Sequence, residues 1–412
     1  MPKKILIHSL VFRPDGVSTA YLYNDIALEF QKSGYEVVVL TTTPHYNVIQ
    51  EQIAQIPMTW KLWGLCKESN FQGIKVLHIP QKKFKSTILR VLGFLYWHIV
   101  SFFIGLFQKN VDVILSPSPP LTIGVINLWL AKLKGCKVVY NVQEIYPDIL
   151  GKKQGIIVSI LSKMERYVYN NSDAVTTIDQ VFYDTIVGRF KDRSKLHIIP
   201  NFVDTELYNR NKAERINLDD RLFPKTDSLK LLYAGNVGFA QDWETLIELA
   251  KATQNYPVEY FVIGEGVMKP YLIKQVEEMK LFNVHILPYQ SRESIPGILA
   301  YSDIQFIFMN PEMEMQGFPS KVYTIMACGK PLLVCSGNGT PIVNFLKDYD
   351  CAKLVQDRDS RKKVEEIARW LQCVSKEKLA LMGENGLNII TKYYAKDIVT
   401  QQYVKRIELL LN

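Results

Sequence analysis

Short apolar runs rich in β-branched residues alternate along the chain with helical patterns. The first series comprises Ile5–Leu10, Glu36–Thr41, Ile74–Ile79, Val111–Ser116, Val138–Val142, Ala174–Ile178 and His197–Pro200. A second series comprises Leu231–Ala234, Glu259–Ile263, His285–Leu287, Ile304–Phe308, Leu332–Cys335 and Ala352–Val355. Alternation of strands and helices at this spacing predicts βαβ units and parallel sheets. The pattern therefore predicts an α/β fold with two Rossmann-like, doubly wound domains.

A polar, charged stretch from Asn209 to Asp227 separates the two series and is predicted to be a linker or a peripheral insertion. We expect an N-terminal domain over residues 1–205, a C-terminal domain over 206–392, and a final helix over 393–412 that returns to the N-terminal domain. A chain of 412 residues is long enough for two such cores. Ligands of doubly wound sheets bind at the carboxyl ends of the strands, so a shared substrate would lie in the cleft that joins the domains.

The composition is that of a soluble or surface-associated globular protein, with 48% hydrophobic residues and a mean hydropathy near zero. The six cysteines are scattered without a CxxC motif, which is typical of buried thiols in a reducing cytoplasm. No signal peptide, metal-ligand cluster or Walker-type loop is expected, because the chain runs from its first residues directly into a strand and its six histidines are dispersed.

The net charge of +8 is concentrated between residues 61 and 110, where eight basic residues stand against one acid, Glu68. The most apolar stretch of the chain, Ser86–Phe107, lies in the same window. It is about long enough to span a bilayer, but Arg90 and His98 lie within it. A nucleic-acid partner is not expected, because this charge lies beside aliphatic and aromatic residues instead of along a polar groove. Within the predicted membrane-associating segment, 81–109, the basic residues expected to contact the membrane are Lys82, Lys83, Lys85 and Arg90.

On a helical wheel, all the small and polar residues of this stretch except Ser86 and Gly93 fall within an arc of about 80°. They are Thr87, Arg90, His98, Ser101 and Gly105, interrupted by Phe94. Such a helix could belong to a domain core, or it could lie in the membrane interface with the lysines on anionic headgroups. We expect both, with one side on the domain and the other on lipid. The apolar candidates for lipid contact are Leu95, Tyr96, Phe102, Phe103 and Phe107.

Three turns that follow predicted strands carry glycine. They are Asp15-Gly16-Val17-Ser18, Gly235-Asn236-Val237-Gly238 and Gly264-Glu265-Gly266. Glycine permits positive φ and a close approach of the backbone to a phosphate or sugar. One such loop carries little information, because βα turns use glycine routinely. Three of them favour a nucleotide-diphosphate site.

A second phosphate-binding signal lies between Gln316 and Val334. Gly317, Phe318 and Pro319 form a turn, and Ser320 and Lys321 then begin a helix that is predicted to run to Ala327. Free backbone N–H groups and the positive end of the helix dipole would point to the same place as the Lys321 ammonium group. The alternative is an ordinary capped helix with a solvated lysine.

These motifs resemble family 4 of the retaining glycosyltransferases, with the GT-B architecture of two Rossmann-like domains facing across a cleft. The resemblance covers nearly the whole chain. Within the family, the chain is most similar to the branch that builds bacterial surface polysaccharides, including the N-acetyl-fucosaminyl transferases of O-antigen synthesis. The segments that carry it are residues 15–18, 141–148, 199–204, 234–238 with Gln241, 264–266 and, above all, Pro319–Pro331.

The chain departs from the family pattern at several positions. Gln316 and Thr324 replace the two acids of a Glu-x7-Glu motif, where the first acid contacts the donor sugar and the second contacts the ribose. Asn236 and Gln241 replace the usual basic pair at the diphosphate, which leaves Lys321 as the main cation. A histidine often found in the first domain is also replaced in the motif that contains Gln143 and Glu144.

The resemblance implies transfer of a sugar from a nucleotide-diphosphate donor, a substrate, with no cofactor and no metal. It implies a UDP-sugar, such as an N-acetylated hexosamine, and a polyprenyl-diphosphate-linked saccharide acceptor at the inner face of the plasma membrane. Lys321, Asn236, Glu144 and Gln143 are the implied catalytic residues, although Glu144 could simply orient a neighbour by a hydrogen bond. The implied donor-binding residues are Gly235, Gly238, Gln241, Gly264, Glu265, Tyr289, Gln316, Gly317, Phe318, Pro319, Ser320 and Thr324. The implied acceptor-side residues are Asp15, Gly16, Val17 and Ser18.

Two other functions remain open at this point. A sugar-nucleotide epimerase of the same architecture would need a pair of catalytic acids and would form an epimer from the donor alone. A catalytically inactive partner that holds another transferase at the membrane would fit the loss of both motif acids and would not bind nucleotides.

Overall fold

The computed structural model describes residues 2–45, 53, 56–81, 86–148, 155–315 and 317–412. The chain divides into two compact units, of which the first comprises Met1–Asn201 and Asp397–Asn412 and the second comprises Phe202–Lys396. The chain passes between the units after Asn201 and after Lys396, whereas the sequence predicted boundaries after residues 205 and 392. Each boundary is thus displaced by four residues. The two units are described separately below.

The described part of the first unit contains a sheet of nine strands in the order β3-β4-β5-β2-β1-β6-β7-β8-β9. The pairs from β5 to β9 are parallel, whereas β3 and β4 form an antiparallel extension at one edge. The strands are β1 (Lys4–His8), β2 (Glu36–Thr42), β3 (Thr59–Lys61), β4 (Cys66–Phe71), β5 (Ile74–Ile79), β6 (Val113–Pro117), β7 (Lys137–Val142), β8 (Ala174–Thr177) and β9 (Leu196–Ile198).

The predicted parallel strands of this unit are confirmed, but the sequence did not indicate β3 and β4. All three residues of β3 are exposed, and β4 is largely polar, so neither strand has the apolar run of a buried parallel strand. The described helices that pack on this sheet and precede the second unit are α1 (Ser18–Lys32), α2 (Thr87–Phe107), α3 (Leu121–Lys134), α4 (Ile156–Asn171) and α5 (Gln180–Ile186).

Two glycines allow α2, α3 and α4 to lie in close contact. A Cβ atom on Gly105 of α2 would lie 2.6 Å from a methyl carbon of Leu130 on α3. A Cβ atom on Gly124 of α3 would lie 2.7 Å from Val168 of α4 and 2.8 Å from the ring of Tyr140 on β7. Both distances are too short for real carbon atoms, so the helices pack this closely only because a side chain is absent.

The second unit contains, in its described residues, a parallel sheet in the order β12-β11-β10-β13-β14-β15. Apolar clusters cover both faces of this sheet. The strands are β10 (Leu229–Ala234), β11 (Val258–Ile263), β12 (Val284–Leu287), β13 (Ile304–Phe308), β14 (Leu332–Cys335) and β15 (Ala352–Val355). The helices are α6 (Arg210–Ala213), α7 (Trp243–Ala252), α8 (Lys269–Glu278), α9 (Ile295–Tyr301), α10 (Lys321–Ala327), α11 (Pro341–Leu346), α12 (Ser360–Cys373) and α13 (Lys376–Ile389).

The polar stretch before β10 is a packed insertion and not a free linker. Its α6 helix ends on the buried Ala213, and Phe223 is also buried. The Tyr301 hydroxyl donates a hydrogen bond to the Pro224 carbonyl oxygen at 2.7 Å. Of the two sequence interpretations, the peripheral insertion is therefore the correct one.

The last helix, α14 (Lys396–Leu411), belongs almost entirely to the first unit. The Asn141 side chain of β7 donates to the Tyr403 hydroxyl at 3.1 Å and accepts from the Tyr23 hydroxyl of α1 at 2.6 Å. The Gln401 amide donates to the Glu29 carboxylate at 2.5 Å. These buried polar contacts fix the end of the chain to the unit in which it begins.

Gly124→Ala is expected to lower the free energy of unfolding by about 1–3 kcal/mol, because the new methyl group overlaps Val168 and Tyr140. Gly188→Ala is the matched control, since nothing lies within 4 Å of a Cβ atom there. Chemical denaturation of both variants measures the difference. Equal stabilities would contradict the close packing of α3 on α4.

Candidate active site

The candidate site lies at the carboxyl edge of the sheet in the second unit. Strands β12, β11, β10 and β13 are neighbours and run parallel, so the loops that follow them emerge side by side. These loops carry Tyr289 after β12, Gly264–Gly266 after β11, Gly235–Gln241 after β10, and the segment before α10 after β13. The topology therefore brings most of the predicted donor-binding residues to one edge.

The turns after β10 and β11 touch through their backbones. Gly235 and Gly264 have φ values of 153° and 147°, which side chains rarely allow. A Cβ atom on Gly264 would lie 1.8 Å from the Gly235 carbonyl oxygen, and one on Gly266 would lie 2.2 Å from the Val237 carbonyl oxygen. Only glycine fits at these positions, and the two turns form a compact backbone surface.

The Lys321 side chain begins α10 and reaches into this surface. Its Nζ atom is buried and has no hydrogen-bond partner among the described residues, although the residue as a whole is only partly buried. The atom lies 3.5 Å from the centre of the Tyr233 ring, and a Cβ atom on Gly235 would lie 2.5 Å from it. The absence of a side chain at Gly235 thus makes room for the ammonium group.

Burial lowers the pKa of Lys321 to about 7. An ammonium group that is buried with free N–H donors is costly for the fold, and an anionic ligand would provide the missing partner. The ring of Tyr233 stabilises the charge only in part, since a cation–π contact is worth about 0.5–2 kcal/mol. Such an arrangement is suited to an anion, such as a phosphate group, in contact with the Lys321 Nζ atom.

Two aromatic residues that sequence reasoning did not select support the turn after β10. Tyr233 donates from its hydroxyl to the Asn236 carbonyl oxygen at 2.7 Å, and Trp243 donates from Nε1 to the Gly238 carbonyl oxygen at 2.9 Å. Both residues are buried and lie in apolar patterns, so the sequence indicates only core packing for them. Asn236 itself remains exposed at the surface of the turn.

Several predicted donor residues make structural contacts in the second unit. The Thr324 hydroxyl donates to the Lys321 carbonyl oxygen at 2.9 Å, and the Phe318 ring packs on Tyr323 and Phe345. Gln241 pairs with Met309 in an isolated backbone bridge. Sugar and ribose contacts for Thr324, Phe318 and Gln241 remain predictions.

Other predicted donor residues lie at or near the surface. Glu265 is exposed and pairs with Lys269, and Tyr289 is 63% exposed beyond β12. Ser320 makes no side-chain capping bond to α10. Gln316 lies outside the described residues, whereas Gly317, Pro319 and Ser320 are partly buried in the loop that enters α10.

The predicted residues Gln143 and Glu144 belong to the first unit. Gln143 forms a reciprocal pair with Asn201, each amide donating to the other at 3.0 Å, and it also donates to Asn141 at 2.9 Å. This pairing indicates a structural role for the Gln143 side chain, which holds the loop after β7 against Asn201. Burial raises the pKa of Glu144, whose carboxylate also interacts with the Tyr146 hydroxyl.

The predicted acceptor loop follows β1 and also belongs to the first unit. Asp15 is buried, and its carboxylate accepts from the His45 backbone N–H at 2.9 Å, which joins the loops after β1 and β2. Gly16 is partly buried, Val17 is the N-cap residue of α1, and Ser18 begins this helix as an exposed residue. Contact of these residues with an acceptor remains a prediction.

Helix α2 packs on its unit through the second half of the predicted stripe together with the apolar residues Trp97, Val100 and Ile104, whereas Thr87 at the start of the stripe is exposed. His98, Ser101 and Gly105 are buried, and the His98 ring hydrogen-bonds to the Phe94 carbonyl oxygen and the Thr122 hydroxyl at 2.7 and 2.8 Å. Arg90 is exposed, as are Leu95, Tyr96, Phe103 and Phe107, whereas Phe102 is partly buried. Lys82, Lys83 and Lys85 lie outside the described residues.

Within the described ranges, α2 is the one helix long and apolar enough to cross a membrane, and 33% of its most apolar window is buried in the protein. This finding rests on length and composition alone, and a helix in the core of a soluble protein can meet the same two criteria. Among all the residues that the structure describes, no group of three or more His, Cys, Asp or Glu residues is placed to hold a metal ion.

Comparison with known proteins gives two family models that match successive parts of the chain. "Glycosyltransferase Family 4" matches residues 20–207, and "Glycosyl transferases group 1" matches residues 214–388. The chain is 24% identical over 336 residues to WcaI of Escherichia coli, a glycosyl transferase named for colanic acid biosynthesis. That match covers 79% of this chain and 81% of the relative.

A second relative is WbjE of Pseudomonas aeruginosa, named as a glycosyltransferase, at 23% identity over 73% of this chain and 75% of that protein. Among solved structures, the Anabaena protein HepE in complex with UDP and glucose superposes with a TM-score of 0.72, 14% identity and coverage of 98% and 99% of the two chains. The structural likeness concerns the fold, and the two family models cover most of the sequence. The chain therefore belongs to glycosyltransferase family 4 and is a transferase enzyme with the GT-B fold.

Proposed function

We propose that this enzyme moves a sugar from a nucleotide-diphosphate donor to a lipid-linked saccharide, with retention of the anomeric configuration and without a metal ion. The observation that carries the proposal is the buried Lys321 ammonium group, which lacks a protein partner among the described residues and fits against the Gly235 turn. UDP is the favoured nucleotide, since HepE was solved with UDP and with UDP-glucose. We propose an N-acetylated hexosamine as the donor sugar.

The proposed reaction breaks the bond between the anomeric carbon and the donor phosphate oxygen and forms a bond from that carbon to an acceptor hydroxyl oxygen. Negative charge builds up on the leaving diphosphate, where Lys321 and the backbone N–H groups near Gly238 and at the start of α10 would stabilise it. The acceptor hydroxyl attacks from the same face and gives its proton to the departing phosphate. This route needs neither a protein nucleophile nor a metal ion.

The proposed acceptor is a polyprenyl-diphosphate-linked saccharide at the inner face of the plasma membrane. The exposed apolar side of α2 supports a peripheral membrane location, with the lysines of segment 81–109 on anionic headgroups. The name of WcaI, which refers to colanic acid biosynthesis, supports a role in polysaccharide biosynthesis, and we propose a surface polysaccharide such as O-antigen, capsule or exopolysaccharide. The enzyme would act from the cytoplasm.

The state of Lys321 favours a nucleotide-binding enzyme over an inactive membrane partner. A buried ammonium group without a hydrogen-bond acceptor is unfavourable for folding, and a protein that bound no anion would gain nothing from it. An epimerase would use the same diphosphate site, so incubation with the donor alone distinguishes it. Formation of an epimer without an acceptor would favour the epimerase.

Lys321→Met should abolish donor binding and lower kcat/KM by at least about 100-fold, since it removes a preorganised charge at the leaving group. The melting temperature should stay the same or rise, because a buried charge without a partner is replaced by an apolar chain of similar length. Thermal shift with UDP and a transfer assay measure the two effects.

Lys330→Met is the matched control for that variant. Its ammonium group is satisfied by the Ala300 and Ser302 carbonyl oxygens at 2.6 and 2.7 Å. This control should lose stability but keep UDP binding. Full activity of Lys321→Met would overturn the assignment of the site.

Binding of UDP at about pH 8 should take up a proton. Burial lowers the pKa of Lys321 to about 7 in the free protein, and a bound diphosphate would raise the pKa again. The contribution of Lys321 to affinity is therefore complete below pH 7 and declines as the pH rises, by up to about tenfold per pH unit. Calorimetry in buffers of different ionisation enthalpy measures the uptake, and the same uptake in Lys321→Met would contradict this origin.

Transfer should continue at its full rate in excess EDTA and should not increase when Mg²⁺ or Mn²⁺ is added. The physical reason is that Lys321 and backbone N–H groups supply the charge that a divalent cation would otherwise bring to the diphosphate. A transfer assay after dialysis against the chelator tests this. Loss of activity that returns with a divalent cation would refute the metal-independent mechanism.

A further inference from the structure

Helices α2, α3 and α4 form a continuous layer on the first unit. Neighbouring helices in this order are in contact, and Gly105 and Gly124 allow them to approach closely. The outward faces of all three helices therefore belong to one surface. An interaction that involves the exposed side of α2 would extend to its neighbours if their outward side chains had the same chemistry.

The outward side chains of α3 and α4 are apolar, like those of α2. On α3, Trp129 and Leu133 are 52% and 64% exposed and lie one turn apart. On α4, Ile156 and Ile160 are 79% and 53% exposed, also one turn apart, with Ile157 exposed beside them. Large contiguous apolar surfaces of this kind mark interaction sites.

The exposed charge on the three helices is entirely positive. Their sequences contain a single acid, Glu165, which is buried and pairs with Arg189 Nη1 at 2.6 Å. A hollow beside α4 is lined by Lys163 and Arg166 of this helix and by Lys191 beyond it. The basic residues of the helices themselves are Arg90, Lys132, Lys134, Lys163 and Arg166.

The start of α2 is a second indication that an apolar environment covers this layer of helices. Every residue from Ser86 to Leu92 is exposed, including Ile88, Leu89 and Val91. A helix that is apolar over most of its circumference is stabilised when an apolar environment covers it. The first unit does not supply that cover for these two turns within the described residues.

We propose that the outward faces of α2, α3 and α4 together form one docking surface for an anionic phospholipid bilayer, defined by Leu95, Ile99, Trp129, Leu133, Ile156 and Ile160. This inference rests on the membrane attachment in the proposed function and extends it from one helix to three. Apolar side chains enter the interface, and the surrounding lysines and arginines bind the headgroups. The charge selects this occupant, since a second copy of the same all-positive face would be repelled.

The test is flotation of the full-length protein with phosphatidylcholine vesicles that contain or lack phosphatidylglycerol. Three double variants each change one helix: Leu95→Gln with Ile99→Gln, Trp129→Gln with Leu133→Gln, and Ile156→Gln with Ile160→Gln. Glutamine favours helix, so each helix should be retained. We expect each double variant to lower partitioning into anionic vesicles by about tenfold or more.

Phe282→Gln is the matched control, because Phe282 is 80% exposed but belongs to the second unit. It should float like the unchanged protein. Lys132→Gln with Lys163→Gln should weaken binding to anionic vesicles and leave weak binding to neutral ones unchanged.

The outcomes separate this inference from the proposed function. Loss of flotation in the α2 variant alone, with normal flotation of the α3 and α4 variants, would overturn the three-helix surface. A stable dimer that dissociates in the α3 and α4 variants, seen by sedimentation, would also overturn it in favour of a second copy. UDP thermal shift should be unchanged in all these variants, and its dependence on Lys321 tests the donor site independently.

Discussion

The contact between two backbone turns is the constraint on which the proposed donor site depends. Gly235 and Gly264 follow adjacent parallel strands, and their turns touch so closely that a single methyl group at Gly264 would overlap a carbonyl oxygen. Because the sheet is parallel, both turns emerge at the same edge. Backbone atoms, the Lys321 ammonium group and the side chains of Tyr233 and Asn236 lie beside them. Such a surface is suited to a diphosphate, whose oxygens need N–H donors at short distance.

The same constraint supports the central role that we propose for Lys321. The resemblance to family 4 places Asn236 and Gln241 where a basic pair would hold the diphosphate. The remaining ammonium group is buried over the Tyr233 ring without an acceptor among the described residues. Burial lowers the pKa of this group, because the charged form has lost water without gaining an acceptor, and an anion would supply that acceptor. Stability and function thus place opposite demands on this one side chain.

Helix α2 shows how tertiary structure assigns roles to the residues of one apolar stretch. His98 and Ser101 are buried because each finds hydrogen-bond partners inside the first unit, and Gly105 is buried because α3 lies too close for a side chain. The larger apolar residues on the opposite side remain exposed. Trp97, Val100 and Ile104 are buried on the same side as His98, so the buried face is mixed, whereas the exposed face is almost wholly apolar. An apolar exposed face is what the proposed contact with lipid would require.

The sequence by itself determined the parallel strands, the two-domain architecture, the glycine turns and the start of α10 at Lys321, because alternation of apolar runs and glycine positions are local properties. It did not indicate β3 and β4, which are too polar and exposed to resemble buried strands. Only the tertiary structure showed that Gln143 pairs with Asn201, that Tyr233 lies beneath Lys321, and that Gly235 makes room for its ammonium group. Burial and hydrogen-bond partners come from residues distant in the chain, so no local pattern reveals which polar group has been left for a ligand.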